Sequence, residues 1–458
     1  MIHDNVLSAI GRTPLVRLHR VVEGLACDVV GKLEAFNPGG SIKDRTAARI
    51  VAEAERRGQL KPGGTIVEST SGNMGVGLSM VAAVKGYRCI VCTTDKQSED
   101  KINLVRAFGA EVRICPTAVE PDDPRSFYSV AKRIAAETPG AFYANQFHSP
   151  DNPAAHYSTT GPEIWEQTEG KVDVVIGGLG TGGTLCGAGR YLKEKNPAVK
   201  IVGVDPFGSL FYDWFHHKAI VKAQMYKIEG IGEDILPGAL DFSLLDDVVQ
   251  VQDKESVLAA RRLAREEGIL GGTSAGAALV GTWKYAKALP AGKLVIVLIP
   301  ERGERALGKV FNDEWMRRNQ FLSDAGDVTA ADLVARKSRE LSHLVTLPPN
   351  ARIGEAIRIM QESDVSQIPI IRDGQLVGNL REDQIIDLLI HTPGRQDSPV
   401  EEIMEDPVPE VSGDTAMDEI QEMFVAGNSA VLVNLSGGRR SILTKYDLIH
   451  GLARGGNR

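Results

Sequence analysis

The stretch VDVVIGGLGTGGTLCG (172–187) decides the fold of the first two thirds of this chain. It opens with a run that is apolar on both faces, which reads as a strand buried in a parallel sheet, and it passes through a glycine-rich turn into a helix. Such a turn presents backbone N–H groups to a ligand at the carboxyl edge of the sheet. Similar runs recur at TIVEST (65–70), RCIVCTT (88–94), KIVGVD (200–205) and LVIVLIP (294–300). Between them, TAARIVAEAERRGQL (46–60) and KINLVRAFGA (101–110) space their apolar residues three and four apart, as amphipathic helices do. Alternating strands and helices predict an α/β fold with mostly parallel sheets over about residues 10–320.

At 458 residues the chain exceeds one core, which predicts two to four domains. A hydrophobic content of 43% with 24% charged residues falls in the range of soluble globular proteins. The net charge of −8 argues against nucleic acid or an anionic membrane as main partner. The opening MIHDNVLSAIGRTPLV has no signal-peptide pattern, and no window approaches the ~20 apolar residues of a membrane span, so a cytoplasmic protein is expected. The odd, sparse cysteine count suits a reducing compartment. Cys89 and Cys92 share a strand, where residues three apart point to opposite faces, so no metal or redox pair is expected there.

Near residue 317 the character changes. RRNQFLSDAGDVTAADLVARKSRE (317–340) is polar and charged, and a linker with a helical part is expected at 319–340, behind a domain at 1–318. The chain then duplicates: Ile357, Met360, Gly378, Arg381 and Gln384 have counterparts Ile420, Met423, Ser441, Thr444 and Asp447, 63 positions on. Each half carries a helix, a short β run (IPII, 368–371; AVLVN, 430–434), a turn marked by Asp373-Gly374 or Gly437-Gly438, another strand and a closing helix. One such unit buries too little apolar surface alone, so repeats at 341–395 and 396–458 are expected to pack as one α+β tandem module.

Four segments of the first domain carry chemistry. NPGGSIKDRTAA (37–48) turns into Ser41, a suitable N-cap, with Lys43 in the first turn of the following helix. A lysine at a helix N-terminus beside Arg45 loses proton affinity, the direction a Schiff-base lysine needs; the plainer reading is a solvated surface lysine. ESTSGNMGVGLSM (68–80) follows a strand and opens a helix, which suits a carboxylate or phosphate. GGLGTGGTLCG (177–187) satisfies G-x-G-x-x-G through Gly178, Gly180 and Gly183, with Asp205 closing the next strand where a nicotinamide-binding fold keeps its ribose acid. A phosphate cradle of backbone amides explains the glycines equally well. The mid-chain position favours the cradle, and the other segments have no task in hydride transfer. GILGGTSAGAAL (268–279) again leads a strand end into a helix, with Ser274 placed for one hydrogen bond.

In this order the four segments resemble, over about residues 5–318, the β-replacing pyridoxal-phosphate family that contains cysteine synthase and cystathionine β-synthase. The resemblance implies a two-domain fold type II enzyme with pyridoxal 5'-phosphate held by Lys43, which then moves the α-proton. It implies Asn73 at the ring hydroxyl, Gly180, Thr181, Gly182, Gly183 and Thr184 at the phosphate, and Ser274 at the pyridine nitrogen. Thr70, Ser71, Gly72, Met74 and Gln146 are implied at the substrate, with Gly230, Ile231 and Gly232 at the mouth of the site. Tyr157 is expected to close over the substrate. EGIGEDILP (229–237) and PERGERALGKVFNDEW (300–315) resemble the cystathionine-forming branch. That branch condenses L-serine with L-homocysteine to L-cystathionine and water through an aminoacrylate, with hydrogen sulfide as a product when cysteine is the substrate. The alternative is cysteine synthase, using O-acetylserine and sulfide, since TTGPEIW (159–165) suits both. Relative to animal members the haem-binding extension is missing, so no haem is expected, and a homodimer is implied.

Residues 340–455 resemble the paired regulatory module named after cystathionine β-synthase. Thr444 and Asp447 match its T-x-x-D pattern for a ribose, which implies an adenosine-containing ligand such as S-adenosylmethionine; Arg381 and Gln384 make the first site degenerate. The alternative is a tail that serves assembly and stability.

Overall fold

The computed structural model describes residues 2–70, 72–322, 328–337, 344–392, 394–435 and 438–449. The chain divides into two compact units, Met1–Phe321 and Leu322–Arg458. In the first, β1(Leu15–Arg17), β2(Asp28–Leu33), α1(Lys43–Arg56), β3(Thr65–Ser69), α2(Asn73–Lys85), β4(Arg88–Thr94) and α3(Glu99–Ala107) lead into β5(Glu111–Cys115) and α4(Phe127–Glu137). β6(Ala141–Tyr143), α5(Asp151–Ser158), α6(Thr160–Gln167), β7(Val174–Gly178), α7(Gly183–Lys195), β8(Lys200–Pro206) and α8(Phe211–His217) follow. β9(Asp247–Val251), α9(Asp253–Glu267), α10(Thr273–Ala286), β10(Leu294–Ile299) and α11(Asp313–Arg318) close the unit.

Two sheets result. One runs β1-β2-β10-β7-β8-β9, parallel except for the edge pair β1–β2. The other runs β5-β4-β3-β6 and is parallel throughout. The doubly apolar runs are buried on both sides, as the sequence predicts: Val295, Val297 and Ile299 of β10 face the core of α9 and α10, while Ile296 and Leu298 face that of α6 and α7. Cys89 and Cys92 of β4 enter different cores. Burial pushes both thiols up to about 12, so neither is a reactive thiolate near neutrality.

A charge network with almost no solvent contact pins α1 to the larger sheet. The Arg45 guanidinium forks onto both oxygens of Glu34 (2.8 and 2.9 Å) and onto Glu163 of α6 (2.6 and 2.8 Å). Lys32 Nζ, fully buried in β2, donates to Glu163 (2.8 Å), to Gln167 (2.8 Å) and to the Thr13 carbonyl (2.7 Å). Two cations meet two carboxylates, so the cluster is neutral, the condition under which buried charge is tolerated.

In the second unit α12(Ala330–Ala335) precedes α13(Ile353–Ser363), β11(Gln367–Arg372), β12(Gln375–Arg381) and α14(Glu382–His391). β13(Glu410–Ser412), α15(Met417–Val425), β14(Ala430–Asn434) and β15(Arg440–Thr444) repeat the pattern. The duplication is carried into the register: Gln367 pairs with Arg381 and Ala430 with Thr444, each 63 positions on. Asp373 and Gly374 take positive φ in the first hairpin turn. Gly437, expected in the second, lies outside the described residues.

The expected boundaries need two corrections. Val328, Ala330 and Leu333, placed in a linker at 319–340, are buried with Met417, Ile420 and Val431 of the second half. Val400, Ile403 and Met404, assigned to the second repeat, pack with Ile353, Ile368 and Leu380 of the first. Each half borrows an apolar segment from across the sequence boundary, because its own helix and hairpin leave a sheet face uncovered.

Arg45→Met would strand the Glu34 carboxylate in a dry site. It is expected to destabilise the protein by about 3–5 kcal/mol in urea unfolding, and full stability in the variant would refute the role of the network. Burial raises the Glu163 carboxyl, but Arg45 and Lys32 outweigh this and hold it down at about 2. Its contribution is therefore complete above the ordinary carboxylate range and is lost as pH falls toward 2, a slope that Arg45→Met should flatten.

Candidate active site

The carboxyl ends of β3, β7 and β10 and the first turns of α1, α2, α7 and α10 meet at one place. Ile42 donates its N–H to the Pro300 carbonyl (2.9 Å), and Ser41 bridges Glu301, so α1 starts against the end of β10. Ser41, the expected N-cap, lies one residue too early: Ile42 holds the cap position and makes no side-chain cap bond, while Ser41 Oγ accepts the Lys43 N–H at 3.3 Å. Lys43 is half-buried, and its Nζ has no hydrogen-bond or ion-pair partner among the described residues. Burial lowers its proton affinity, opposed by the more distant charges of Glu233 and Glu301. The direction matches the sequence reading and the cause does not, because Arg45 is neutralised by Glu34 and Glu163 on another side of the helix.

Glu301 is the hub of the site. Asn73 Nδ2 donates to its Oε2 (2.5 Å), Ser274 Oγ to its Oε1 (3.4 Å), and buried Lys101 lies 3.6 Å from Oε2. Lys101 also pairs with Glu229 (2.8 Å), which holds Lys309 as well, and Arg305 bonds Asn73 Oδ1 and the Gly39 carbonyl. Asn73 and Ser274, distant in sequence, thus share one carboxylate.

The glycine loop Gly180–Thr184 opens α7 and contributes no carboxylate. Asn152 Nδ2 reaches Thr181 Oγ1 (2.8 Å), and His156 Nε2 lies 3.2 Å from Thr184 Oγ1 and 3.1 Å from Thr46 Oγ1 of α1. Thr46 stands one turn after Lys43, so α1 joins the lysine to the loop. Burial and the nearby Lys43 charge keep His156 neutral. A Cβ on Gly183 would overlap the Asn152 amide, and one on Gly180 would come within 3.0 Å of the Gly230 carbonyl. Gly230, Ile231 and Gly232 lie over this loop, with the Gly232 N–H on the Leu179 carbonyl (2.6 Å). Free N–H groups of a helix N-terminus, two threonines and close backbone walls fit a phosphate monoester.

On the substrate side, Gly72 donates its N–H to Thr70 Oγ1 (3.2 Å), and Gln146 is buried with its Oε1 unpaired. Met74 turns its side chain into the core, leaving only its backbone for a ligand, and Ser71 lies outside the described residues. Tyr157 is a correction: it stands on the outer side of α5, its hydroxyl donating to Glu194 (2.7 Å) and its ring edge-on to Tyr191. Its neighbour His156 takes the inward face, and one helical step separates the two. Asp205 is no ribose acid here; it is buried and accepts the Tyr212 N–H (2.9 Å). The sequence reading missed Glu301 and Lys101, although PERGER (300–305) stands among its signals; nothing local shows that the end of β10 meets a lysine on α3, so far upstream.

In the tail, Asp447 Oδ2 accepts from the Thr444 N–H and Oγ1 (both 2.8 Å) and lies 3.2 Å from Lys337 Nζ. The T-x-x-D pair forms a capping interaction, and Arg381 with Gln384 forms its counterpart, the Arg381 N–H on Gln384 Oε1 (2.8 Å).

Residues 6–301 match the family of pyridoxal-phosphate dependent enzymes. The chain belongs to this family. Residues 338–391 match the CBS domain. Cystathionine beta-synthase of Dictyostelium discoideum is 35% identical over 98% of this chain and 92% of its own length. That of Apis mellifera is 43% identical over 70% of this chain and 64% of its own. The structure of an O-acetylserine dependent cystathionine beta-synthase from Helicobacter pylori superposes with a TM-score of 0.63 and 34% identity, covering 68% of this chain and 98% of that one. The protein is therefore a pyridoxal-phosphate-dependent β-replacement enzyme of the cystathionine β-synthase kind, and Lys43, Asn73, Ser274 and the Gly180–Thr184 loop are the residues that fit the cofactor. No helix among the described residues is long and apolar enough to cross a membrane.

Gly183→Ala would crowd the loop against Asn152, and overpacking of this kind costs about 1–3 kcal/mol. Affinity for pyridoxal phosphate, followed by visible absorbance, is expected to fall about 10-fold or more. Unchanged affinity would remove the loop from the cofactor site.

Proposed function

We propose that the enzyme condenses L-serine with L-homocysteine to L-cystathionine and water. The observation that carries this reading is the 35% identity, over 98% of this chain, with a relative named cystathionine beta-synthase. Pyridoxal phosphate, when bound, supplies the electron sink that makes the α-proton acidic and the β-substituent a leaving group. Lys43, its amine favoured by burial, takes the α-proton and protonates the departing serine hydroxyl. The C–O bond breaks, water leaves, the thiol sulfur bonds the β-carbon, and the thiol's proton passes through Lys43 back to the α-carbon. The backbone N–H groups at Gly72–Met74 and the amide of Gln146 receive the substrate carboxylate.

The Helicobacter pylori relative favours a second reading in which O-acetylserine replaces serine as donor. Product analysis decides, with serine or O-acetylserine each offered with homocysteine or sulfide. Cystathionine from serine, lost in Lys43→Ala, is the expected result. Cysteine from O-acetylserine and sulfide as dominant product would move the chain to cysteine synthase activity.

For the tail we propose an adenosyl ligand, S-adenosylmethionine, at Thr444 and Asp447, on a homodimer in the cytoplasm. Asp447 keeps Oδ1 free of protein partners among the described residues, which supports a ribose hydroxyl contact. Calorimetric titration should give heat in the wild type that Asp447→Ala abolishes, with light scattering on the same sample reporting twice the chain mass. Absence of heat in the wild type would leave the tail a structural module.

A further inference from the structure

We infer that Glu68 is a positioning residue for the substrate carboxylate, tying the two arms that receive that group, the turn at Thr70–Met74 and Gln146, into one receptor. The inference rests on the reading that these arms bind an amino-acid substrate, and it deepens that reading.

Glu68 is the last residue but one of β3, and its side chain is fully buried. Its two oxygens are divided between the arms. Oε1 accepts the Ser69 N–H (2.8 Å), one residue ahead of Thr70, and Oε2 accepts the Gln146 N–H (3.1 Å) from the loop after β6. The Ser69 hydroxyl lies 3.5 Å from Oε1 and 2.8 Å from the Tyr143 hydroxyl. No cation pairs with Glu68 among the described residues. The ionisable groups that face it are Cys89 and Cys92 of β4 and Tyr143 of β6, all held neutral by burial. A buried carboxyl without a counter-ion is unfavourable in a core, and what it supplies here is an acceptor for each of two N–H groups from distant segments. A protonated carboxyl keeps acceptor capacity at both oxygens, whereas an amide offers one acceptor and one donor and holds only one arm.

Both arms are set by the same few bonds. On the first, Thr70 donates its N–H to the Cys92 carbonyl (2.9 Å), and its Oγ1 takes the N–H of Gly72, which sits at φ 136°, a conformation that favours glycine. On the second, Gln146 Nε2 reaches the Ser69 carbonyl (3.5 Å), and its Oε1 is buried without a donor among the described residues. The Gln146 carbonyl accepts from Asn152 Nδ2 (2.9 Å), which also reaches Thr181 of the glycine loop. Burial pushes the Glu68 carboxyl up to about 8. Below that pH a neutral acid backs the receptor; above it, a negative charge stands beside a site that must hold a carboxylate.

The test titrates the holoenzyme with L-serine and with 2-aminoethanol, the same molecule without its carboxylate, following visible absorbance in the wild type and in Glu68→Gln. The ratio of the two dissociation constants isolates the carboxylate, because the amine is common to both ligands. Glu68→Gln is expected to weaken serine binding about 10-fold and to leave the affinities for 2-aminoethanol and pyridoxal phosphate within about 2-fold. A purely structural role would weaken both ligands and the cofactor together; that result, or an unchanged ratio, would overturn the inference. If the variant does not fold, the wild type decides. Its preference for serine over 2-aminoethanol should fall about 10-fold between about pH 7 and pH 9 as Glu68 ionises, and a flat ratio would overturn the inference. If the wild type makes no cystathionine from either donor, the proposed reaction fails while the titrations still read the receptor. No spectral response to serine would sink the amino-acid reading itself, and the inference with it.

Discussion

Arg45 is the constraint on which the site depends. Its guanidinium faces two carboxylates from different parts of the larger sheet layer, Glu34 after β2 and Glu163 on α6. α1 otherwise packs with α2 in the core of the smaller sheet, where a Cβ on Gly77 would touch Ala47 and crowd the Lys43 carbonyl. The lysine-bearing helix is therefore held by apolar packing on one side and by a dry ionic fork on the other. An isolated buried charge would cost more than the fold can supply, so the network acts as a unit. The bidentate geometry fixes the rotation of α1, and with it the direction in which Lys43 and Thr46 face.

Around that fixed helix the electrostatics are divided by sign. Four helix N-termini give a region rich in N–H donors, suited to phosphate and carboxylate. The carboxylates Glu301 and Glu229 are answered by Lys101, Lys309 and Arg305, which leaves Lys43 without a close counter-ion among the described residues. A lysine in that position is kept nearer to its free amine by desolvation, the state in which it can bond a carbonyl or accept a proton. His156 extends the same logic: a neutral imidazole between Thr46 and Thr184 adds no charge to a loop that must hold an anion.

In the tail the observed role of the short T-x-x-D pattern is a helix cap. Thr444 and Asp447 cap the start of the closing helix, as Arg381 and Gln384 do in the first half. A capping box is the commoner reason for such spacing, and it orients the carboxylate by the same hydrogen bonds that a ribose site would use. The second half takes an apolar segment from ahead of the first half, and the first half takes one from the start of the expected second repeat.

The sequence by itself determined strands β3, β4, β7, β8, β10, β11 and β14, the burial of the first five on both faces, the divergence of Cys89 and Cys92, helices opening near Lys43, Asn73, Gly183 and Thr273, and the 63-residue repeat, whereas the strand end it expects at 268–272 is the turn between α9 and α10. These follow from periodicity and from glycine, serine and threonine chemistry within a few residues, which is local information. Tertiary structure alone decided that Glu301 meets Asn73, Ser274 and Lys101, that Arg45 is consumed by Glu34 and Glu163, and that burial moves the proton affinity of Lys43. It also turned Tyr157 outward while its neighbour His156 turned in, and gave residues 328–335 to a core. Each of these depends on which distant segments fold against each other, and on the desolvation that follows, and neither is written in the spacing of any single stretch.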